Sequence, residues 1–319
     1  LTCFAIDTDN DGIPNAFDAD SDNDGITDII EAQGIPILLS GTDTNLDGLD
    51  DVFTTSITPT DSDLDGVFDY LDIDSDNDGV YDLFEAGHTQ LDADLDGVID
   101  NSITTVGDNG LVYALETTPD NFILNYNVSN LDIDTIFDYL DDDSDGDTCP
   151  DVIEAGFLDP DNDNFIGTSP VTVDSQGKVI GIPDGYTIPD SDYSTSAPIL
   201  INTPFNNVAF CEKSTSSLSI DSTAETFQWE TSTDAGTNWT SIIDDATYNG
   251  ATTSTLQIFN LQLSFNNNLY RVFLQRDGNT CSDTSNAIVL TVDPLPKLVT
   301  IPPDINRCDE NRVGFLDFD

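Results

Sequence analysis

This 319-residue sequence predicts a mainly irregular array of loop repeats decorated by short β hairpins, followed by an all-β sandwich. Three observations predict it. An aspartate ladder runs from residue 7 to residue 167, with Asp-x-Asp-x-Asp-Gly steps at Asp7–Gly12, Asp20–Gly25, Asp61–Gly66 and Asp74–Gly79. Paired steps start only 13 residues apart, which leaves almost nothing between consecutive loops. After Pro198 the acid density falls and alternating apolar patterns take over.

The formal net charge is −55. Residues 1–198 hold 47 acidic side chains and one basic one, Lys178, whereas residues 199–319 hold 15 and 6. Without counter-ions the first part would repel itself out of any compact state. An acidic disordered tail is the alternative. The periodicity of the acids speaks against it, as do apolar residues at recurring offsets: Phe17, Ile29, Phe68, Leu71, Leu83, Ile136 and Leu140. These are expected to face inward and seal the loops from water. The negative field excludes nucleic acid as a partner, because phosphate contacts need lysine and arginine. No apolar run reaches the roughly 18 residues of a membrane span, so no membrane insertion is expected. The chain has no methionine, and an internal piece of a larger protein is expected.

The ladder is the pattern of a calcium loop. Calcium takes about six to eight oxygens, and short carboxylates at alternate positions point at one ion. In the first unit, taken as residues 1–58, the loops are Asp7, Asp9, Asp11; Asp20, Asp22, Asp24, Asp28, Glu31; and an isolated Asp43, Asn45, Asp47, Asp51. The second unit, 59–128, repeats them as Asp61, Asp63, Asp65, Asp69; Asp74, Asp76, Asp78, Asp82, Glu85; and Asp92, Asp94, Asp96, Asp100. In the third, 129–197, Asn130 opens the first loop, which continues to Asp132, Asp134 and Asp138. Asp143, Asp145, Asp147, Asp151, Glu154 and then Asp159, Asp161, Asp163 follow. Loops starting at Asp20 and Asp74 place carboxylates at positions 1, 3, 5, 9 and 12 and glycine at 6, the twelve-residue calcium-loop pattern. Thr135, Thr148 and Asn164 stand where glycine is expected. Threonine resists the left-handed backbone region, so an altered turn or weaker loop is predicted there. Flanking helices of about ten residues, as in an EF-hand, have no room.

The inserts at 101–129 and 168–198 are rich in Thr, Val, Ile and Tyr and predict hairpins, one turning at Asn109-Gly110. Each unit is expected to dock on the next as a stiff rod. The sandwich, 198–293, is predicted from shared faces: Phe227 with Trp229, Leu256 with Ile258, Tyr270 with Val272 and Leu274, and Ile288 with Leu290 and Val292. Cys211 and Cys281 are expected to form a peripheral disulfide, Cys3 and Cys308 to pair beyond the chain, and Cys149 has no assignment. Residues 294–319 read as the start of a following module or linker.

The stacked loops resemble the thrombospondin type 3 repeat over residues 7–167. By that likeness Asp18, Asp72 and Asp141, which close the first loop of each pair, share or bridge ions with the second. Trp229 and Tyr270 resemble the buried tryptophan and corner tyrosine of immunoglobulin-like folds, although Val272 and Leu218 stand where the central disulfide would lie. The phrase from Phe227 to Thr240, with the Glu-Ala-Gly endings at Glu85 and Glu154, resembles giant secreted adhesins of Bacteroidota. The likeness is to type IX secretion cargo and gliding-motility adhesins.

No catalytic constellation is expected. The single histidine, His88, has no nucleophile partner, and the acids are accounted for as ligands of multiple Ca2+ ions. Sequons at Asn127 and Asn238 carry little weight in a bacterial chain. The expected function is a non-enzymatic, calcium-stabilised stalk or spacer of a large extracellular adhesin or surface filament. The alternative is a spacer and carbohydrate-binding region of a secreted polysaccharide-degrading enzyme. Expected partners are neighbouring modules of the same chain, with surface glycans or self-association as further options. The expected location is the outer surface of a bacterium.

Overall fold

A computed structural model of the protein describes residues 6–33, 42, 44, 51–52, 58–100, 105–182 and 185–296. Asp43, Asn45, Asp47, Cys3 and Cys308 lie outside the described residues. The chain forms two units: Leu1–Thr203 with Asp221–Phe227 and Phe273–Thr284, and Pro204–Ile220 with Gln228–Val272 and Ser285–Asp319.

In the first unit each tandem pair is built alike. A loop leads into a 3-10 turn (Asn15–Phe17, Asp69–Leu71, Asp138–Leu140), then a second loop and a single helical turn. These turns are α1 (Asp28–Glu31), α2 (Asp82–Glu85) and α3 (Asp151–Glu154). The 13-residue spacing permits no more. The glycine at position 6 takes positive φ, as at Gly25 (99°) and Gly79 (95°). Position 4 is left-handed too, a feature missed in the sequence: Asn23 (59°), Asn77 (58°) and, with glycine there, Gly146 (69°). Asparagine tolerates that region because its side chain bonds locally. Thr148 is forced to φ 80°, whereas Thr135 keeps negative φ and its loop takes the altered turn. A β-branched residue there costs on the order of 1–3 kcal/mol, and exposed Thr148 recovers none of it by packing. Thr148→Gly is therefore expected to raise stability by about 1 kcal/mol net of glycine's entropy, read as a higher denaturation midpoint with calcium present.

Consecutive repeats dock through backbone bonds. Ile99 and Ile166, in the isolated loops, donate their N–H groups to the carbonyls of Asn23 (2.8 Å) and Asn77 (2.7 Å) one repeat back. The insert hairpins, bridged at Val106–Val112 and Val173–Val179, reach back the same way. Their turns accept from Ala19 N (to Asn109 O, 2.9 Å) and Ile73 N (to Gln176 O, 3.0 Å). Apolar clusters sit at these joints. Val80 packs with Val152, Ala155, Phe157 and Ile166, and Ile26 packs with Ala86 and Tyr139. A Cβ on Gly79 would meet Ile166 and Phe157 below 3.0 Å, so the loop backbone itself is part of the joint.

The expected seal is only partly realised. Leu83 is buried, but Phe17 is 75% exposed and Phe68 and Ile136 are more than two-fifths exposed. The burying residues belong instead to the second loop and its helical turn, namely Ile26, Val80, Tyr81 and Leu83, because that loop is the one covered by the following repeat.

The sandwich comprises β1 (Val208–Cys211), β2 (Ser216–Ser219), β3 (Thr226–Ser232), β4 (Thr240–Ser241), β5 (Tyr248–Asn249), β6 (Thr255–Ile258), β7 (Leu269–Arg276), β8 (Asn279–Thr284) and β9 (Ile288–Asp293). One sheet runs β1-β9-β7-β3-β4, with β8 beside β7, and the other β2-β6-β5. β1 lies parallel to β9 and the other recorded pairings are antiparallel, an immunoglobulin-like arrangement. The predicted faces are the buried ones: Trp229, Leu256, Ile258, Tyr270, Val272, Ile288 and Leu290 are fully enclosed. Trp229 donates its indole N–H to Thr253 O at 2.8 Å, and the Tyr270 hydroxyl meets that of Tyr248 at 3.1 Å.

The cysteine assignment is corrected. Cys149 bonds Cys281 (Cα–Cα 5.5 Å), and Cys211, which is exposed, has no disulfide partner among the described residues. Cys149 holds position 7 of its loop, where Ile26 and Val80 stand in the other repeats, and all three are fully buried. The β7–β8 hairpin end, part of the first unit, comes to that position, and Cys281 N–H lies 3.2 Å from Cys149 Sγ.

Candidate metal centres

Each loop positions its carboxylates by local hydrogen bonds. A position-3 aspartate accepts from the position-5 N–H (Asp76 from Asp78, Asp145 from Asp147), and a position-5 aspartate accepts from position 7 (Asp24 from Ile26, Asp78 from Val80, both 2.6 Å). Glycine-like turns make these short reaches possible. In these aspartates one oxygen is held and the other is left without a partner, whereas Asp20, Asp22, Glu31 and Glu154 have neither oxygen held.

That second oxygen is the distinguishing feature. Buried oxygens without any hydrogen-bond partner belong to Asp7, Asp9, Asp11, Asp18, Asp20, Asp22, Asp24 and Glu31 in the first repeat. Asp61, Asp65, Asp76, Asp78 and Glu85 supply them in the second, and Asp145, Asp151 and Glu154 in the third. Asp20, Asp22, Asp24 and Glu31 are 0% exposed. None of these carboxylates is paired with lysine or arginine among the described residues. Lys178 lies over the rings of Tyr81 and Tyr186 instead, 5.0 and 4.9 Å from their centroids.

An unpaired buried carboxylate costs several kcal/mol even after relaxation. Burial accordingly raises Asp18 to about 8 and Asp72 to about 10, and Asp9 and Asp63 to about 7. Burial first, and neighbouring carboxylates second, drive Asp22, Glu31, Asp78 and Glu85 well above the usual range. Oxygens of Asp7, Asp9 and Asp11 converge within 4.8 Å of one another, as do those of Asp20, Asp22 and Asp24, of Asp61, Asp63 and Asp65, and of Asp74, Asp76 and Asp78. All-oxygen, charge-dense sites of this kind suit a hard divalent cation.

The remaining residues of the motif have other partners. Position 9 closes its own loop by accepting from the position-2 N–H: Asp28 from Ser21, Asp51 from Thr44, Asp69 from Ser62, Asp82 from Ser75, Asp100 from Ala93, Asp138 from Leu131 and Asp151 from Ser144. Asp18, Asp72 and Asp141 each accept from the N–H that opens the second loop. In the isolated loops Asp92 and Asp159 turn both oxygens onto loop N–H groups. Asp94, Asp96, Asp100 and Asp161 there are exposed, and Asp163 is half-buried. Asp132 and Asp134 are exposed as well, and Asp143 accepts from Asp147 and Thr148. The orphaned oxygens thus concentrate in the tandem pairs, a distinction the repeated motif conceals. His88 bonds the Asp24 carbonyl through Nε2 at 2.8 Å, and burial lowers its pKa. Tyr186, not singled out in the sequence, donates its hydroxyl to Asp74.

Among the described residues no helix is long and apolar enough to cross a membrane. Residues 202–294 match a family model described as Domain of unknown function (DUF8696). No curated protein matches the chain. Solved structures similar to part of it include one from work on Dscam isoform specificity (14% identity, 30% of this chain and 24% of that chain, TM-score 0.26). Titin domain M7 is similar at 17% identity, over 30% of this chain and 93% of that chain, with a TM-score of 0.23. The twitchin kinase region from C. elegans is similar at 12%, over 30% and 16%, with a TM-score of 0.23. The chain thus spans about a quarter of the Dscam chain it is similar to.

Proposed function

We propose that this chain is a non-enzymatic, calcium-stabilised stalk or spacer segment of a large extracellular bacterial adhesin or surface filament. The observation that carries it is the set of fully buried carboxylate oxygens with no protein partner, in a region with one basic side chain. Calcium at extracellular concentration supplies the missing charge, because loops of this type work up to the millimolar range. Binding energy at sites absent from the unfolded chain counts as folding energy. The Asp-x-Asp-x-Asp-Gly spacing supports a thrombospondin type 3-like array, and its likeness to Bacteroidota type IX cargo is part of the same reading.

Single-molecule stretching of the full chain tests it. In millimolar calcium the array is expected to unfold in discrete force events beside that of the sandwich. In excess chelator those events vanish and the same contour length extends as a featureless coil. Traces indifferent to the chelator would refute the reading.

A further inference from the structure

The position-12 glutamate does not look only toward its own loop. Oxygens of Asp24, Glu31 and Asp82 lie within 4.8 Å of one another, and all three residues are buried. Asp24 and Glu31 belong to the first repeat, and Asp82 is position 9 of the second. Both Glu31 oxygens and Asp24 Oδ2 lack a hydrogen-bond partner. A second and chemically different group faces the same place. Tyr139, from the third repeat, is 0% exposed, its hydroxyl has no partner, and it lies near enough to Glu31, Asp82, Asp69 and Asp24 for their charges to act on it.

The arrangement recurs one repeat on. Ser144 joins Asp151 and Glu85, donating its N–H to the first (2.9 Å) and its hydroxyl to the second (3.4 Å). Asp151 also bears electrostatically on Asp76 and Asp78, and all four keep an unpartnered oxygen. The half-buried Tyr193 feels the charges of Glu85, Asp78 and Asp151, as Tyr139 feels those of Glu31, Asp82 and Asp24. In the third repeat the build changes. There the outer oxygen of Asp147 accepts from Ala197 N (2.8 Å) and Asn279 Nδ2 (2.9 Å). Amide donors fill the position where no further repeat of this kind follows, while Asp24 and Asp78 keep theirs open.

We propose that a divalent cation is shared between consecutive repeats, held by Asp24 and Glu31 of one and Asp82 of the next, with Tyr139 completing the site, and again by Asp78, Glu85 and Asp151 with Tyr193. Resting on the calcium reading above, it makes the joint between repeats, and not only each loop, dependent on the ion. Three carboxylates and one cation also explain how Asp82 can close its own loop through Ser75 and still face a neighbour's glutamate.

Counting calcium ions on the intact chain by native mass spectrometry tests it. Glu31→Gln and Asp82→Asn are each expected to remove one ion, and the double variant still only one, since both serve the same site. Loss of two in the double variant, or of none in either single, would overturn the proposal. A wild-type chain that holds no ions would instead overturn the calcium reading itself. Tyr139→Phe supplies a second measurement that spares the fold. Removing an unpartnered buried hydroxyl should leave the fold intact in saturating calcium, yet lower calcium affinity severalfold if the hydroxyl serves the site. Unchanged affinity would remove Tyr139 from it.

Discussion

Stripping divalent ions from the folded protein is expected to unfold residues 6–198 altogether at neutral pH. The sandwich, whose core is apolar, is expected to keep a transition of its own. The size of the effect follows from burial. Each uncompensated carboxylate costs several kcal/mol, a domain's whole stability is about 5–15 kcal/mol, and the orphaned oxygens run from Asp7 to Glu154. Calorimetry of ion-free and calcium-loaded protein would read this as loss of one transition, and its persistence in the ion-free protein would refute the expectation. The pH dependence should also change sign. Without ions, Asp9, Asp18, Asp72 and Asp151 have folded pKa values raised to about 7, 8, 10 and 8 by burial. A raised carboxylate pKa stabilises the fold below its unfolded value near 4, and that stability is lost as pH rises through the folded value. Ion-free protein should therefore gain compactness on acidification from pH 8 toward 4. Calcium-loaded protein should lose stability over the same range as protons displace the cation.

Cutting the Cys149–Cys281 bond is expected to cost about 5 kcal/mol, from the chain entropy of closing a loop of 132 residues. The joint it secures is the one where Asn279 and Ala197 supply donors to Asp147. Cys281→Ser, read by guanidinium denaturation in saturating calcium, should lower the stability of the first unit by that amount, and dithiothreitol should do the same to the wild type. A change below about 1 kcal/mol would show that the ions alone hold this end. Cys281 is preferred to Cys149 for the test because it is only half-buried, so its replacement leaves no void at the fully buried position 7.

Much of the architecture was legible in the residues. Alternation in β6, β7 and β9 named the buried faces correctly, because a strand's period of two leaves only one way to hide Leu256, Ile258, Tyr270, Val272, Ile288 and Leu290. The 13-residue spacing excluded long helices, and Asn109-Gly110 announced its hairpin. Phe17, Phe68 and Ile136 misled because recurrence at fixed offsets says that a side chain is placed alike in each repeat, not that a neighbour covers it. Cys211 misled because lying outside the sandwich core does not bring two cysteines together: the partner of Cys281 is Cys149, 132 residues away in sequence.

The order of residues alone determined where carboxylates can converge, since alternate aspartates and a left-handed turn act within a dozen residues. Which oxygens lose water was decided only in three dimensions. Asp76 and Asp94 occupy the same motif position, yet one is buried with an unpartnered oxygen and the other is exposed. The difference is the repeat that packs over the tandem loops and leaves the isolated ones bare, and desolvation is a property of the neighbour rather than of the motif.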